Sequence, residues 1–258
     1  MPVRVDLNCD MGESFGAYTI GVDELIMPLI TSANIACGFH AGDPLVMRRT
    51  VRLAREHGVA VGAHPGFRDL AGFGRRPMEC SPDEVYGDVL YQIGALAAVC
   101  RAERVALNHV KPHGALYNMA NADPHLARAV AAAVADFDPT LFLFALPGSA
   151  LQKAGEERGL KVACEVFADR AYNPDGSLVA RSRPGAVLAD ELAAATQARK
   201  MVQTGRVTAI TGDEVEVRAD TICVHGDNPH AVAFIRRIRE ALLAESVTLA
   251  APGTAPDA

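Results

Sequence analysis

The 258-residue sequence contains no block of Lys or Arg longer than two, and 25 basic against 31 acidic residues leave a formal charge of −6. A surface that could follow a phosphate backbone is missing, so no nucleic-acid partner is expected. Long apolar runs are missing too. The stretches 129–135 and 141–147 fall far short of the roughly 18 to 20 residues that span a bilayer, and the N-terminus lacks the apolar core of a signal peptide. No membrane partner is expected, and a cytoplasmic address is. The six cysteines include no C-x-x-C pair, and most lie in apolar or strand-like runs, which fits reduced, buried thiols. Neither G-x-x-x-x-G-K-[ST] nor H-E-x-x-H occurs, which excludes a Walker-type nucleotide site and a compact zinc-protease signature.

What the chain does contain is a rich supply of core residues, half of it hydrophobic and 22% charged. Folding at this length buries about three quarters of the unfolded surface, enough for a core that needs no disulfide. Short apolar segments at 3–9, 32–39, 59–64, 105–110, 141–146, 160–167 and 222–225 read as strands. Helices are expected between them. Asp43-Pro44 and Ser81-Pro82-Asp83-Glu84 are start signals, the latter a capping box, and further helices are expected at 124–135, 149–158, 189–203 and 229–243. Alternating β and α segments imply a parallel sheet covered on both faces. Seven such units in about 250 residues favour an α/β fold of the (β/α)7-barrel type. With no internal linker, 1–249 reads as one barrel domain and 250–258 as a disordered tail.

The first strand alternates Val3, Val5, Leu7 and Cys9 with Arg4, Asp6, Asn8 and Asp10, so its polar set points into the barrel. Other strands do the same at their C-terminal ends, where such barrels keep their chemistry. His40, His64, Lys111, His113, Glu165 and Asp169 stand there, with His225 and Asp227 closing the last strand. His57, His125 and His230 read as surface residues, His109 as a loop-positioning group, Asp43 as a helix cap and Asp6 as a buried anchor for backbone amides. The candidate catalytic set is therefore Asp10, Glu13, His40, His64, Lys111, His113, Glu165 and Asp227. Carboxylates can take protons from water, imidazoles can return them to a leaving nitrogen, and a lysine can hold an anion. Asp10, His40 and His64 also form a candidate two-histidine, one-carboxylate set for a divalent metal. Two long glycine-containing connections, 65–80 and 168–184, carry Arg75, Arg76 and Arg170, which could clasp a carboxylate or phosphate.

The blocks DLNCDMGESFG (6–16), ANIACGFHAGDP (33–44), GAHPGFRDLAGFGRRPM (62–78), HVKPHGALYN (109–118), EVFADRAYNPDGSLVAR (165–181) and VHGD (224–227) together resemble the LamB/YcsF family. They span nearly the whole chain in order. The resemblance implies a barrel similar to those of glycoside hydrolases and deacetylases. It also implies an ATP-consuming opening of 5-oxo-L-proline (pyroglutamate) to L-glutamate, performed with partner subunits B and C of a 5-oxoprolinase. The matching blocks contain the candidate set above, with Asn8, Arg76 and Arg170 as expected substrate-binding residues. On this reading Asp10 or Glu165 is the general base, His40 or His64 the acid, and Lys111 with His113 the oxyanion support. Two other classes stay open: a stand-alone metal-dependent deacetylase or carbohydrate hydrolase, and a non-catalytic subunit that binds 5-oxoproline.

Overall fold

The computed structural model describes residues 3–224 and 231–254. Seven parallel strands close into a barrel: β1 (Arg4–Met11), β2 (Ser32–Ala36), β3 (Ala60–His64), β4 (Leu107–Val110), β5 (Phe142–Ala145), β6 (Lys161–Phe167) and β9 (Thr221–Val224). β9 pairs with both β6 and β1, which completes the ring. The helices are α1 (Asp23–Ile26), α2 (Pro44–Glu56), α3 (Pro82–Glu103), α4 (Gly114–Ala122), α5 (Pro124–Phe137), α6 (Ala150–Glu157), α7 (Glu191–Thr204) and α8 (Ala231–Ala244). A hairpin of β7 (Arg206–Thr208) and β8 (Glu214–Glu216) follows α7, and β10 (Thr248–Leu249) pairs with the start of β1.

Local chemistry sets the helix starts. The Asp43 carboxylate accepts from the amides of Leu45 and Val46 ahead of Pro44, and Ser81 and Glu84 exchange the reciprocal bonds of a capping box. α7 stops at Gly205, whose φ of +64° suits a residue without Cβ. The second strand, expected to run to Phe39, ends at Ala36. Gly38 and Gly42, at φ +92° and +80°, turn the chain there and carry His40 back across the barrel mouth.

The register stacks the inward polar side chains in layers. Asp6 lies opposite Thr221, Asn8 opposite Ser32, and Asp10 opposite Asn34. The alternate residues Val5, Leu7, Cys9 and Met11 are buried against the helices. Asp6 is an anchor, but for hydroxyls rather than amides: it accepts from Thr31, Ser32 and Thr221. Burial pushes its carboxyl up to about 6, against these three bonds. His109, expected to position a loop, points into the barrel from β4, with Nε2 2.8 Å from Asn34 Oδ1. His57 and His125 are exposed, while His230 lies outside the described residues.

Residues 250–254 lie against the N-terminal end of the barrel. The Arg4 guanidinium donates to Ala251 O and Thr254 Oγ1, and Asn108 Nδ2 donates to Pro252 O. All six cysteines are unpaired thiols, five of them buried. Among the described residues no helix is long and apolar enough to cross a membrane.

Candidate active site

Strand ends bring three carboxylates, one amine and three imidazoles together at the C-terminal mouth. Lys111, just past β4, is buried and places its Nζ 2.9 Å from Asp10 Oδ1 and 3.0 Å from Glu165 Oε1. The Cys223 sulfur lies 3.0 Å from the same nitrogen. Burial works against the ammonium, but Asp10, Cys223 and Glu165 outweigh it and hold Lys111 charged, well above its usual range. Burial likewise opposes ionisation of Asp10, and His64 and Lys111 reverse that, holding it well below the usual carboxylate range. The result is a fixed ammonium between two carboxylates, with Asn34 donating to Asp10 at 2.9 Å.

Asn8, expected to meet substrate, is instead an internal brace. Its Nδ2 donates to Glu165 Oε1 and Thr221 Oγ1, and its Oδ1 accepts from Asn34. Glu165 is fully buried behind Lys111 and does not border the cavity at the mouth. That cavity, about 700 Å³, is bordered by Asp10, His64, Lys111 and His113, with Arg75, Arg170 and Arg181 from the long connections. Its size is that of a small-molecule site.

The arginines divide differently from the sequence expectation. Arg76 turns outward and pairs with Asp69, its side chain 67% exposed, so it is not a wall of the cavity. Arg170 is buried and donates to the carbonyls of Ala186 and Val179. Burial, followed by repulsion from Arg181, lowers it to about 10. It remains a cation at neutral pH, facing a cavity suited to an anion.

The three imidazoles lock one another. His64 Nδ1 donates to Lys111 O at 2.7 Å and His113 Nε2 donates to Phe73 O at 2.8 Å. Their other nitrogens, His64 Nε2 and His113 Nδ1, therefore turn toward each other, 2.9 Å apart. His40 stacks on His113 with ring centres 3.7 Å apart. Burial first, then the neighbouring imidazoles, holds both His40 and His113 well below the usual imidazole range, so both are neutral. Gly74, at φ +62°, makes the stack fit: a Cβ there would lie 2.7 Å from His40 Cβ and 2.8 Å from His113 Cδ2. Glu13 completes the group, and one donor atom from each of Glu13, His40, His64 and His113 lies within 4.8 Å of the others. This buried His/Glu cluster could bind a metal.

Asp10, expected as the carboxylate ligand, is committed to Lys111 and Asn34 and meets His64 at 3.3 Å. Glu13 takes its place among the imidazoles. Asp227 and His225 lie outside the described residues. Two polar groups of α4 are not marked by the sequence pattern. The Tyr117 hydroxyl and Asn121 Nδ2 are buried with no well-formed hydrogen bond, and both residues border the cavity. Burial, then the nearby Glu165, pushes the Tyr117 phenol well up. Their spacing of four residues on one helix face is the available signal, but 114–118 reads on paper as part of a loop block.

The LamB/YcsF family model matches residues 5–256. A protein from Symbiobacterium thermophilum described as a subunit of 5-oxoprolinase is 70% identical over 253 residues, covering 98% of this chain and 97% of that protein. The crystal structure of a "Lactam Utilization Protein" from Thermus thermophilus superposes with a TM-score of 0.92 at 54% identity, covering 96% of this chain and 99% of the other. A GH26 β-mannanase from Bacteroides ovatus, 8% identical with a TM-score of 0.50 over 98% of this chain and 92% of its own, shares the barrel fold alone.

Proposed function

The chain belongs to the LamB/YcsF family, and from that premise we propose that it is the lactam-handling component of an ATP-dependent 5-oxoprolinase. Working with subunits B and C, it hydrolyses 5-oxo-L-proline to L-glutamate. The observation that carries the reading is the Asp10–Lys111–Glu165 triad at the base of a cavity walled by the buried cation of Arg170. A lactam acid needs a cation for its carboxylate and a fixed positive charge near the carbonyl oxygen, and these residues supply both.

Asp10 is the one carboxylate of the triad that borders the cavity, so it is the group placed to accept a proton from attacking water. Lys111 and His64 make it a weak base. A weak base suits an activated carbonyl better than a resonance-stabilised amide, which gives ATP its place. Phosphate transferred to the lactam oxygen makes the carbonyl carbon electrophilic. ADP leaves in that transfer; one water then adds, the C–N bond breaks as the nitrogen takes a proton to leave an acyl phosphate, and a second water hydrolyses this to the carboxylate and inorganic phosphate. Glu165 acts through Lys111 rather than on the substrate.

Reconstitution with subunits B and C tests this, following glutamate and phosphate separately. Asp10→Asn should lower glutamate formation by about 100-fold or more, the range expected for loss of a general base, and Arg170→Lys should raise KM for 5-oxoproline. Normal glutamate formation by Asp10→Asn would refute the assignment. Deacetylation of an N-acetyl sugar by the single chain without ATP would favour the stand-alone hydrolase, and 5-oxoproline binding with no turnover deficit in either variant would favour a carrier.

A further inference from the structure

His64 Nδ1 and His113 Nε2 are committed to backbone carbonyls, which leaves the inward nitrogens of the two rings 2.9 Å apart. His40 presents a physical difficulty: it is fully buried, and neither ring nitrogen has a hydrogen bond. Leaving such groups unsatisfied costs on the order of 1 to 3 kcal/mol each, and one cation would satisfy all three rings.

We propose that Glu13, His40, His64 and His113 bind one divalent first-row transition-metal ion, zinc being the first expectation. The donor chemistry fits, because three imidazoles and one carboxylate suit zinc and its neighbours, whereas magnesium and calcium take oxygen donors. The spacing fits as well. Donors about 2.0 to 2.1 Å from a tetrahedral zinc lie roughly 3.3 Å from one another. Here Glu13 Oε1 is 3.6 Å from His40 Nε2 and 3.9 Å from His113 Nδ1, and the His64–His113 pair is at 2.9 Å. Small rotamer adjustments close the shell.

The surroundings already have the form of a metal site's outer shell. Backbone carbonyls fix the tautomers of His64 and His113, the usual way in which ligating histidines are oriented. Phe73 holds one of these carbonyls in place at φ +55°, a conformation that non-glycine residues rarely adopt. His64 and His113 border the cavity while Glu13 and His40 stand behind them, so the ion belongs in the cavity wall. The site rests on these four side chains and not on the lactam reading.

The test uses the full chain, stripped with chelator and dialysed. Titration with Zn2+ should show one ion per chain, and Co2+ should give the visible d–d absorption of a low-coordinate nitrogen/oxygen site. His40→Gln and His113→Gln should each weaken Co2+ binding by more than the roughly 10- to 100-fold that loss of a supporting partner costs, with unchanged far-UV circular dichroism, while the exposed His125→Gln should match wild type. A folded chain that binds neither ion, or binding that survives both substitutions, overturns the proposal. Where a histidine variant does not fold, Glu13→Gln and the wild-type Co2+ spectrum decide.

Discussion

Replacing Lys111 by Met removes one positive charge from a place where two carboxylates meet it at 2.9 and 3.0 Å, while keeping most of the side-chain volume. At an effective dielectric of about 20, each contact is worth on the order of 5 kcal/mol of direct attraction, and desolvation of the ammonium and both carboxylates offsets most of it. What the substitution exposes is the desolvation cost left without its compensation. Breaking a buried pair in this way costs about 3 to 5 kcal/mol. For a domain of this size, 1 kcal/mol moves Tm by roughly 2 to 4 °C, so a fall of about 6 to 20 °C is expected by calorimetry, with chelator present so that ion loading does not contribute. A triple variant, Asp10→Asn, Lys111→Met, Glu165→Gln, removes all three charges and should recover most of the loss. A Lys111→Met Tm within about 3 °C of wild type, or a triple variant as unstable as the single one, would refute the reasoning.

Asp6 carries the clearest pH dependence. Its folded value of about 6 lies above the ordinary 3.8, so the folded state holds a proton that the unfolded chain releases. The associated stability is complete below pH 3.8 and is lost as pH rises through about 6, by up to about 3 kcal/mol. Urea unfolding of Asp6→Asn against wild type from about pH 4 to 7 should show the difference shifting in the variant's favour, and a constant difference would count against the buried acid. Gly74→Ala should destabilise by about 1 to 3 kcal/mol through left-handed backbone strain, and by collision with His40 and His113, read as a lower urea midpoint; an unchanged midpoint would show that the stack yields freely. Ser81→Ala, which removes the capping box of α3, should cost about 1 kcal/mol with an unchanged m-value.

The alternation in β1 is enough to tell which side chains face inward, because a period of two cannot place Asp6, Asn8 and Asp10 anywhere but opposite Val5, Leu7 and Cys9. The sequence also marks the helix starts at Asp43 and Ser81, since capping chemistry is local. Very short strands, such as β7 with β8 and the still shorter β10, carry no periodic signal. The roles within the site are the least legible. Glu13 sits in the loop that follows β1, and nothing along the chain shows that it, rather than Asp10, joins all three imidazoles. That choice follows from Lys111 and Asn34 occupying Asp10, contacts made across 101 and 24 residues of sequence. Arg75 and Arg76 are neighbours with equal claim on paper. Asp69 draws Arg76 outward through a short-range pairing that composition does not reveal.

The pairing of β10 with β1 brings residues 4 and 254 within one hydrogen bond of each other, at the pole of the barrel opposite its mouth. A short peptide linker could therefore join residue 254 to residue 4, and new termini could be opened in an exposed turn such as that between β7 and β8, yielding a circular permutant with the mouth untouched.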